Sequence, residues 1–115
     1  FSLEMSKEQI ATRMLSSEAL VPNTSLTSGM ISSDEWVQLA QAADTLSQVN
    51  IYIDDTAGIT VPQMKAKLRR MRNLGLVIID YLQLMESATN HTSRVNEVSE
   101  ITRQIKLMAK ELNVR

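Results

Sequence analysis

The chain has 115 residues, 43% of them hydrophobic, with three glycines, two prolines and no cysteine; that balance supports one globular unit and excludes a disordered tail. Without thiols there is no disulfide framework, thiolate metal site or cysteine nucleophile, so a reducing compartment is permitted and the cytoplasm is the expected location. The net charge of −1 hides an uneven distribution: residues 1–60 hold 2 Lys and Arg against 8 Asp and Glu, whereas residues 61–115 hold 10 against 5.

The first expected element is the end of a strand, Phe1-Ser2-Leu3, because Ser6 with Gln9 forms a capping box opening a helix that carries Ile10, Ala11, Met14 and Leu15 on one side. Residues 22–29, rich in Asn, Thr and Ser behind Pro22, break the periodicity and read as a loop. Ser32 with Glu35 then opens a second helix bearing Trp36, Leu39, Ala40, Ala43 and Leu46. Trp36 and the seven Met residues read as core filler, not as a binding box.

Ile51-Tyr52-Ile53 is a short β-prone run ending in Asp54-Asp55, and Thr56-Ala57-Gly58 supplies the turn out of it. Thr60 with Gln63, and Pro62 in the first turn, starts a basic helix whose Met64, Leu68 and Met71 share a face; Gly75 is placed as its C-cap. Lys65, Lys67, Arg69, Arg70 and Arg72 give this stretch a density that suits either phosphate contact or a solvated helix face, and the pattern favours the solvated face.

Residues 74–79 form the longest apolar run, six residues against the ~20 that cross a bilayer, so no membrane span is expected. Apolar residues on consecutive positions 76–79 predict a central parallel strand covered on both faces, ended by Asp80. Residues 86–92 are polar and irregular, and from Val98 the residues Ile101, Ile105, Met108 and Leu112 mark a last helix of about five turns. Strands alternating with helices predict an α/β fold, a mostly parallel sheet flanked by helices with right-handed crossovers. The chain opens on Phe1 with no charged, apolar leader and ends directly behind a helical pattern, as a piece of a longer protein does.

In parallel sheets ligands bind beyond the carboxyl ends of strands, which directs attention to Glu4, Asp54, Asp55 and Asp80. A carboxylate ending an apolar strand is costly unless water, a hydrogen bond or a cation stabilises it, and Mg²⁺ beside a nucleoside triphosphate meets that need for Asp80. The competing reading is an Asp that caps a turn. Glu4 can accept the proton of a water attacking a terminal phosphate, although spacing alone favours an acid placed at a helix N-terminus. Asp54 and Asp55 read as turn formers, and His91, the single histidine, as a solvated loop residue. The loop at 86–96, with Arg94 and Asn96 near its end, suits contact with a phosphate backbone or simple mobility. No G-x-x-x-x-G-K-[ST] occurs, so this chain by itself lacks a phosphate-cradling loop and is expected to be inactive.

The strings Phe1-Ser2-Leu3-Glu4-Met5, Ile51-Tyr52-Ile53-Asp54-Asp55-Thr56 and the run G-L-V-I-I-D-Y-L-Q-L-M at 75–85 resemble the RecA-like C-terminal motor domain of the DnaB family of replicative DNA helicases. Asn96, Glu97, Val98, Ser99, Glu100 and Ile101, followed by Lys106 to Leu112, are similar to that family's helix after its Walker B strand. The resemblance covers the chain in order and implies a hexameric, ATP- and Mg²⁺-dependent enzyme that moves along single-stranded DNA and unwinds the replication fork, with primase and a helicase loader as partners. It implies Glu4 as catalytic base and Asp80 at the Mg²⁺ and nucleotide site, and offers Arg94 and Asn96 as DNA contacts in the central channel. It also implies that the family's Walker A strand and primase-facing domain precede Phe1, and that its sensor Gln, second DNA loop and arginine finger follow Arg115. Arg115 departs from the family pattern, which has Pro there. Alternative readings are another RecA-type ATPase, a recombination or clock-like factor, and a truncated, inactive interaction module.

Overall fold

Three helices start by the same reciprocal device. Ser6, Ser32 and Thr60 each accept a hydrogen bond from the backbone N–H three residues on, while the side chains of Gln9, Glu35 and Gln63 accept from the capping residue's own N–H. Each box satisfies two of the four donors that a helix start leaves open. The computed structural model describes residues 1–87 and 93–115, and the sequence positions of these starts are as expected. Where composition suggested one unit, the chain forms two, Met5–Asp54 and Phe1–Glu4 with Asp55–Arg115.

The unit Met5–Asp54 holds α1 (Lys7–Ala19), α2 (Asn23–Ser28) and α3 (Ser33–Ser47). Its core is Ala19, Val21, Leu39 and Ala42, with Leu15, Leu26 and Ile31 packed on it. Leu20 ends α1 in the left-handed region at φ 57°, and the Val21 N–H donates to Ser16 O at 3.2 Å, which turns Val21 into the core. Residues 22–29 are a short helix, not the expected loop: Thr27 Oγ1 donates to Asn23 O at 3.1 Å, and Gly29 closes the turn at φ 74°. Small polar side chains that bond their own backbone support a single turn without an apolar stripe. The stripe expected on α3 is narrower than its spacing suggested. Leu39 is buried and Leu46 half-buried, but Trp36 is 59% exposed and Ala40 and Ala43 face outward, while Ala42 is buried instead.

The unit Phe1–Glu4 with Asp55–Arg115 holds α4 (Val61–Leu68), a 3-10 turn (Leu82–Leu84) and α5 (Arg94–Leu112). Ile59, Val61, Met64, Leu68, Met85, Ile101 and Met108 form its core, so three of the seven Met residues are filler as expected, whereas Met30 is 82% exposed. α4 packs on α5, and Lys65 with Arg69 (3.6 Å) reach Glu111 across the pair. The ammonium of Lys65, hydrogen-bonded to the Glu111 carboxyl, holds that carboxyl below its ordinary range. α4 ends at Leu68, with Asn73 in the left-handed region, so Gly75 is not its C-cap.

No strand forms among the described residues; the expected parallel sheet appears as one isolated parallel bridge, Ser2 with Asp80. Three hydrogen bonds build it: Phe1 N donates to Ile78 O (2.7 Å), Asp80 N to Phe1 O (3.0 Å) and Leu3 N to Asp80 O (2.8 Å). On the opposite edge Val77 N donates to Arg115 O (2.7 Å) and Arg115 N to Gly75 O (3.3 Å). Residues 75–80 thus bond on both sides, in the evenly spaced pattern of parallel pairing, over too few residues for a strand. The run 76–79 is not covered on both faces. Val77 and Ile79 pack on the core, while Leu76 and Ile78 are 61% and 66% exposed, the alternation of a sheet with one face covered. Residues 51–53 carry no strand assignment either.

Candidate functional site

The two acids singled out first lie in the same unit and on neighbouring segments. Asp80 stands opposite Ser2 in the bridge, and Glu4 follows Ser2 by two residues, where the chain bends. Both segments run in the same direction, so both carboxylates leave at their carboxyl ends, where parallel α/β folds hold ligands. Glu4 and Asp80 are exposed. Exposure removes the burial penalty that the apolar run suggested for Asp80, because Ile78 and Leu76 on the same side are open as well. Asp80 therefore needs no cation in order to sit where it does, and it is open to bind one. The peptide bond from Asp80 to Tyr81 is cis.

Among the described residues no group of three or more His, Cys, Asp or Glu side chains gathers as metal ligands. Asp80, exposed at the end of its segment, does fit Mg²⁺, which takes one or two carboxylates and completes its shell with water and phosphate oxygens. Asp54 and Asp55 precede the turn at Ala57 and Gly58. Gly58 has φ +62°, a backbone conformation that favours glycine, and a Cβ there would meet only the movable carboxylate end of Glu86, 2.7 Å from its Oε1. His91 lies outside the described residues.

Behind Asp80 the chain makes the 3-10 turn and then buries Met85. Ser93 caps α5 by accepting from Asn96 N–H at 3.3 Å, so Arg94 and Asn96, expected at the end of a loop, form the first turn of this helix. Asn96 is exposed. The Arg94 guanidinium turns back onto the chain: Nη1 pairs with Glu97 Oε2 at 2.5 Å, and Nη2 donates to Gln83 O and, at 3.5 Å, to Met85 O. Glu97 Oε1 accepts from Ser87 N–H at 3.2 Å. The spacing of Arg94 and Glu97, one helical turn, was legible in the sequence; the carbonyls that Arg94 reaches and the Ser87 amide that Glu97 accepts from were not.

The basic run splits between two surfaces. Lys65 and Arg69 are taken up by Glu111, whereas Lys67, whose Nζ donates to Thr56 Oγ1 at 3.1 Å, and Arg70 line a concavity of about 310 Å³ with Ile59 and Gln63. Further along α5, Glu100 binds Arg103 through Nε (3.0 Å) and Nη2 (2.7 Å) and raises its pKa.

Compared with known proteins, the whole chain, residues 1–115, matches the family described as DnaB-like helicase C-terminal domain. It is 46% identical to the replicative DNA helicase DnaB of Rickettsia prowazekii (strain Madrid E), over 99% of this chain and 24% of that protein. With the replicative DNA helicase DnaB of Synechocystis sp. (strain ATCC 27184 / PCC 6803 / Kazusa) it shares 49% identity, over 98% of this chain and 13% of that one. The chain thus spans about a quarter of the length of the Rickettsia relative. Among solved structures, a DnaB-like replicative helicase studied for its interactions with primase superposes with a TM-score of 0.90 at 34% identity, covering 98% of this chain and 29% of that one. A second solved structure, of an isolated ATPase domain, superposes with the same score and identity, over 42% of its own length.

Proposed function

The chain belongs to the DnaB-like helicase C-terminal domain family, and on that membership we propose that it is the central part of the motor of a replicative DNA helicase. The full-length protein couples ATP hydrolysis to movement along single-stranded DNA and so separates the strands of a replication fork. The single observation that carries the reading is the parallel bridge from Ser2 to Asp80, which sends Glu4 and Asp80 out at the same end of neighbouring segments.

In this reading residues 1–3, 75–80 and the end of the chain are the near parts of a RecA-like parallel sheet, which the rest of the protein extends. Glu4 accepts the proton of the water that attacks the terminal phosphate; its carboxylate is exposed just past the bridge residue Ser2 and so is open to such a water. Asp80 holds Mg²⁺, directly or through water. The metal, when bound, supplies positive charge against the phosphate oxygens. The chain contains no G-x-x-x-x-G-K-[ST], so the loop cradling the triphosphate belongs to another part of the protein. Asn96, exposed in the first turn of α5, stands beside the DNA strand in the channel of a homo-hexameric ring, and Arg94 lies in the same turn. Primase and a helicase loader are its partners, and it works in the cytoplasm; no helix among the described residues is long and apolar enough to cross a membrane.

The test is Glu4→Gln in the full-length protein. Turnover of ATP falls by about 10²–10⁴-fold, the usual contribution of a positioned base, while binding of a fluorescent ATP analogue persists. Turnover at the wild-type rate would reject the assignment of Glu4 as base.

A further inference from the structure

Arg94 occupies an unusual position for a side chain offered to DNA. Its planar fork is already spent on three groups, the Glu97 carboxylate and the carbonyls of Gln83 and Met85. Glu97 divides its two oxygens between Arg94 and the Ser87 amide. The segment 81–87 leaves Asp80 directly, and these bonds tie its far end to the first turn of α5. Met85 anchors the same segment from beneath, being 1% exposed within the core that also contains Ile101 of α5. Between Asp80 and α5 there is thus a short, doubly fastened connection.

From this geometry we infer that Arg94 is a positioning residue for the motor reaction: with Glu97 it clips the segment behind Asp80 to α5, so that Asp80 is held in place for Mg²⁺ and a displacement of α5 reaches it. The inference rests on the motor reading above. A guanidinium suits the task because it donates in one plane to a carboxylate and to carbonyls at once, which an ammonium cannot do with fixed geometry. The clip lies partly in solvent, with the Arg94 side chain 49% and that of Glu97 23% exposed. Screening weakens an isolated ion pair at such a surface, and the two carbonyl contacts are what keep Arg94 in this orientation. Asn96, in the same first turn of α5 and exposed, carries no part of the clip and serves as the comparison.

The experiment uses the full-length protein and four variants, Arg94→Ala, Arg94→Lys, Glu97→Gln and Arg94→Ala with Glu97→Gln. ATP turnover is measured against ATP, Mg²⁺ and single-stranded DNA, and DNA retention against salt. Arg94→Ala lowers kcat by about 10–100-fold, the effect of misplacing a reacting group by a fraction of an ångström to one ångström. It also raises the Mg²⁺ concentration needed for half-maximal rate, leaving the KM for ATP at saturating Mg²⁺ within about twofold. Arg94→Lys recovers part of the rate, Glu97→Gln shifts the Mg²⁺ dependence in the same direction, and the double variant is no worse than Arg94→Ala alone. Unchanged kcat and Mg²⁺ dependence in Arg94→Ala and Glu97→Gln would overturn the clip. So would weaker DNA retention with a shallower salt slope in Arg94→Ala while Glu97→Gln behaves as wild type, since that pattern belongs to a direct phosphate contact. Should Arg94→Ala fail to fold, Arg94→Lys and Glu97→Gln still decide through the Mg²⁺ dependence. Absence of ATP turnover in the wild-type protein would reject the motor reading itself, a result separable from any of these.

Discussion

The two units of this chain build their cores by different means. Met5–Asp54 is assembled from neighbours in sequence, with three helices in succession around four buried residues. The other unit gathers seven buried residues, Ile59 ahead of α4 and the rest from α4, the segment behind Asp80 and α5, and packs Phe1 and Leu3 against them from the far end of the chain. Both units leave large apolar groups open, Trp36 and Met30 in the first and Leu76 and Ile78 in the second. Long-range assembly costs more chain entropy, and it is what brings Ser2, two residues before Glu4, opposite Asp80.

The contrast has measurable consequences, the largest in the core of the second unit. Met64→Ala empties a site that is 0% exposed and costs about 2–5 kcal/mol, read as lost amide protection in α4 and α5 of the full-length protein. Leu39→Ala lies in the smaller core, 5% exposed, and falls at the low end of that range; a greater loss there than for Met64→Ala would break the contrast. Gly58→Ala costs about 1–2 kcal/mol from the left-handed backbone, because the Glu86 carboxylate in its way is the movable end of a side chain. Ser32→Ala removes a capping box and costs about 0.5–2 kcal/mol, confined to α3 in hydrogen exchange.

The smallest effect belongs to Glu111, an exposed group whose folded pKa is lowered chiefly by its hydrogen bond from Lys65. A lowered carboxyl stabilises the fold above its unfolded value, near 4.3, and that contribution disappears as pH falls through the folded value. Melting midpoints of wild type and Glu111→Gln therefore differ near neutrality and converge on acidification. A difference that persists in acid would remove the ion pair as its cause.

What could be read from the sequence follows the same division. Ser6 with Gln9, Ser32 with Glu35 and Thr60 with Gln63 announced their helices, because a capping box is complete within four residues. The short helix behind Pro22 was missed, since its support is hydrogen bonding by Thr and Ser rather than an apolar period. The apolar run at 76–79 signalled an extended segment but not that Leu76 and Ile78 stay open, because coverage depends on neighbours distant in sequence. Glu4 and Asp80 were legible as acids behind apolar runs, whereas the pairing of Ser2 with Asp80 is a long-range fact. Arg94 offered its charge and its one-turn spacing to Glu97; that it turns onto Gln83 and Met85 depends on where the chain behind Asp80 goes.

The most direct measurement is a structure of the full-length protein with a non-hydrolysable ATP analogue and Mg²⁺. The account expects Asp80 at the metal, directly or through one water, and the Glu4 carboxylate within hydrogen-bond reach of a water beside the terminal phosphate. Either carboxylate turned away from the phosphates, farther than a single water can bridge, would contradict it.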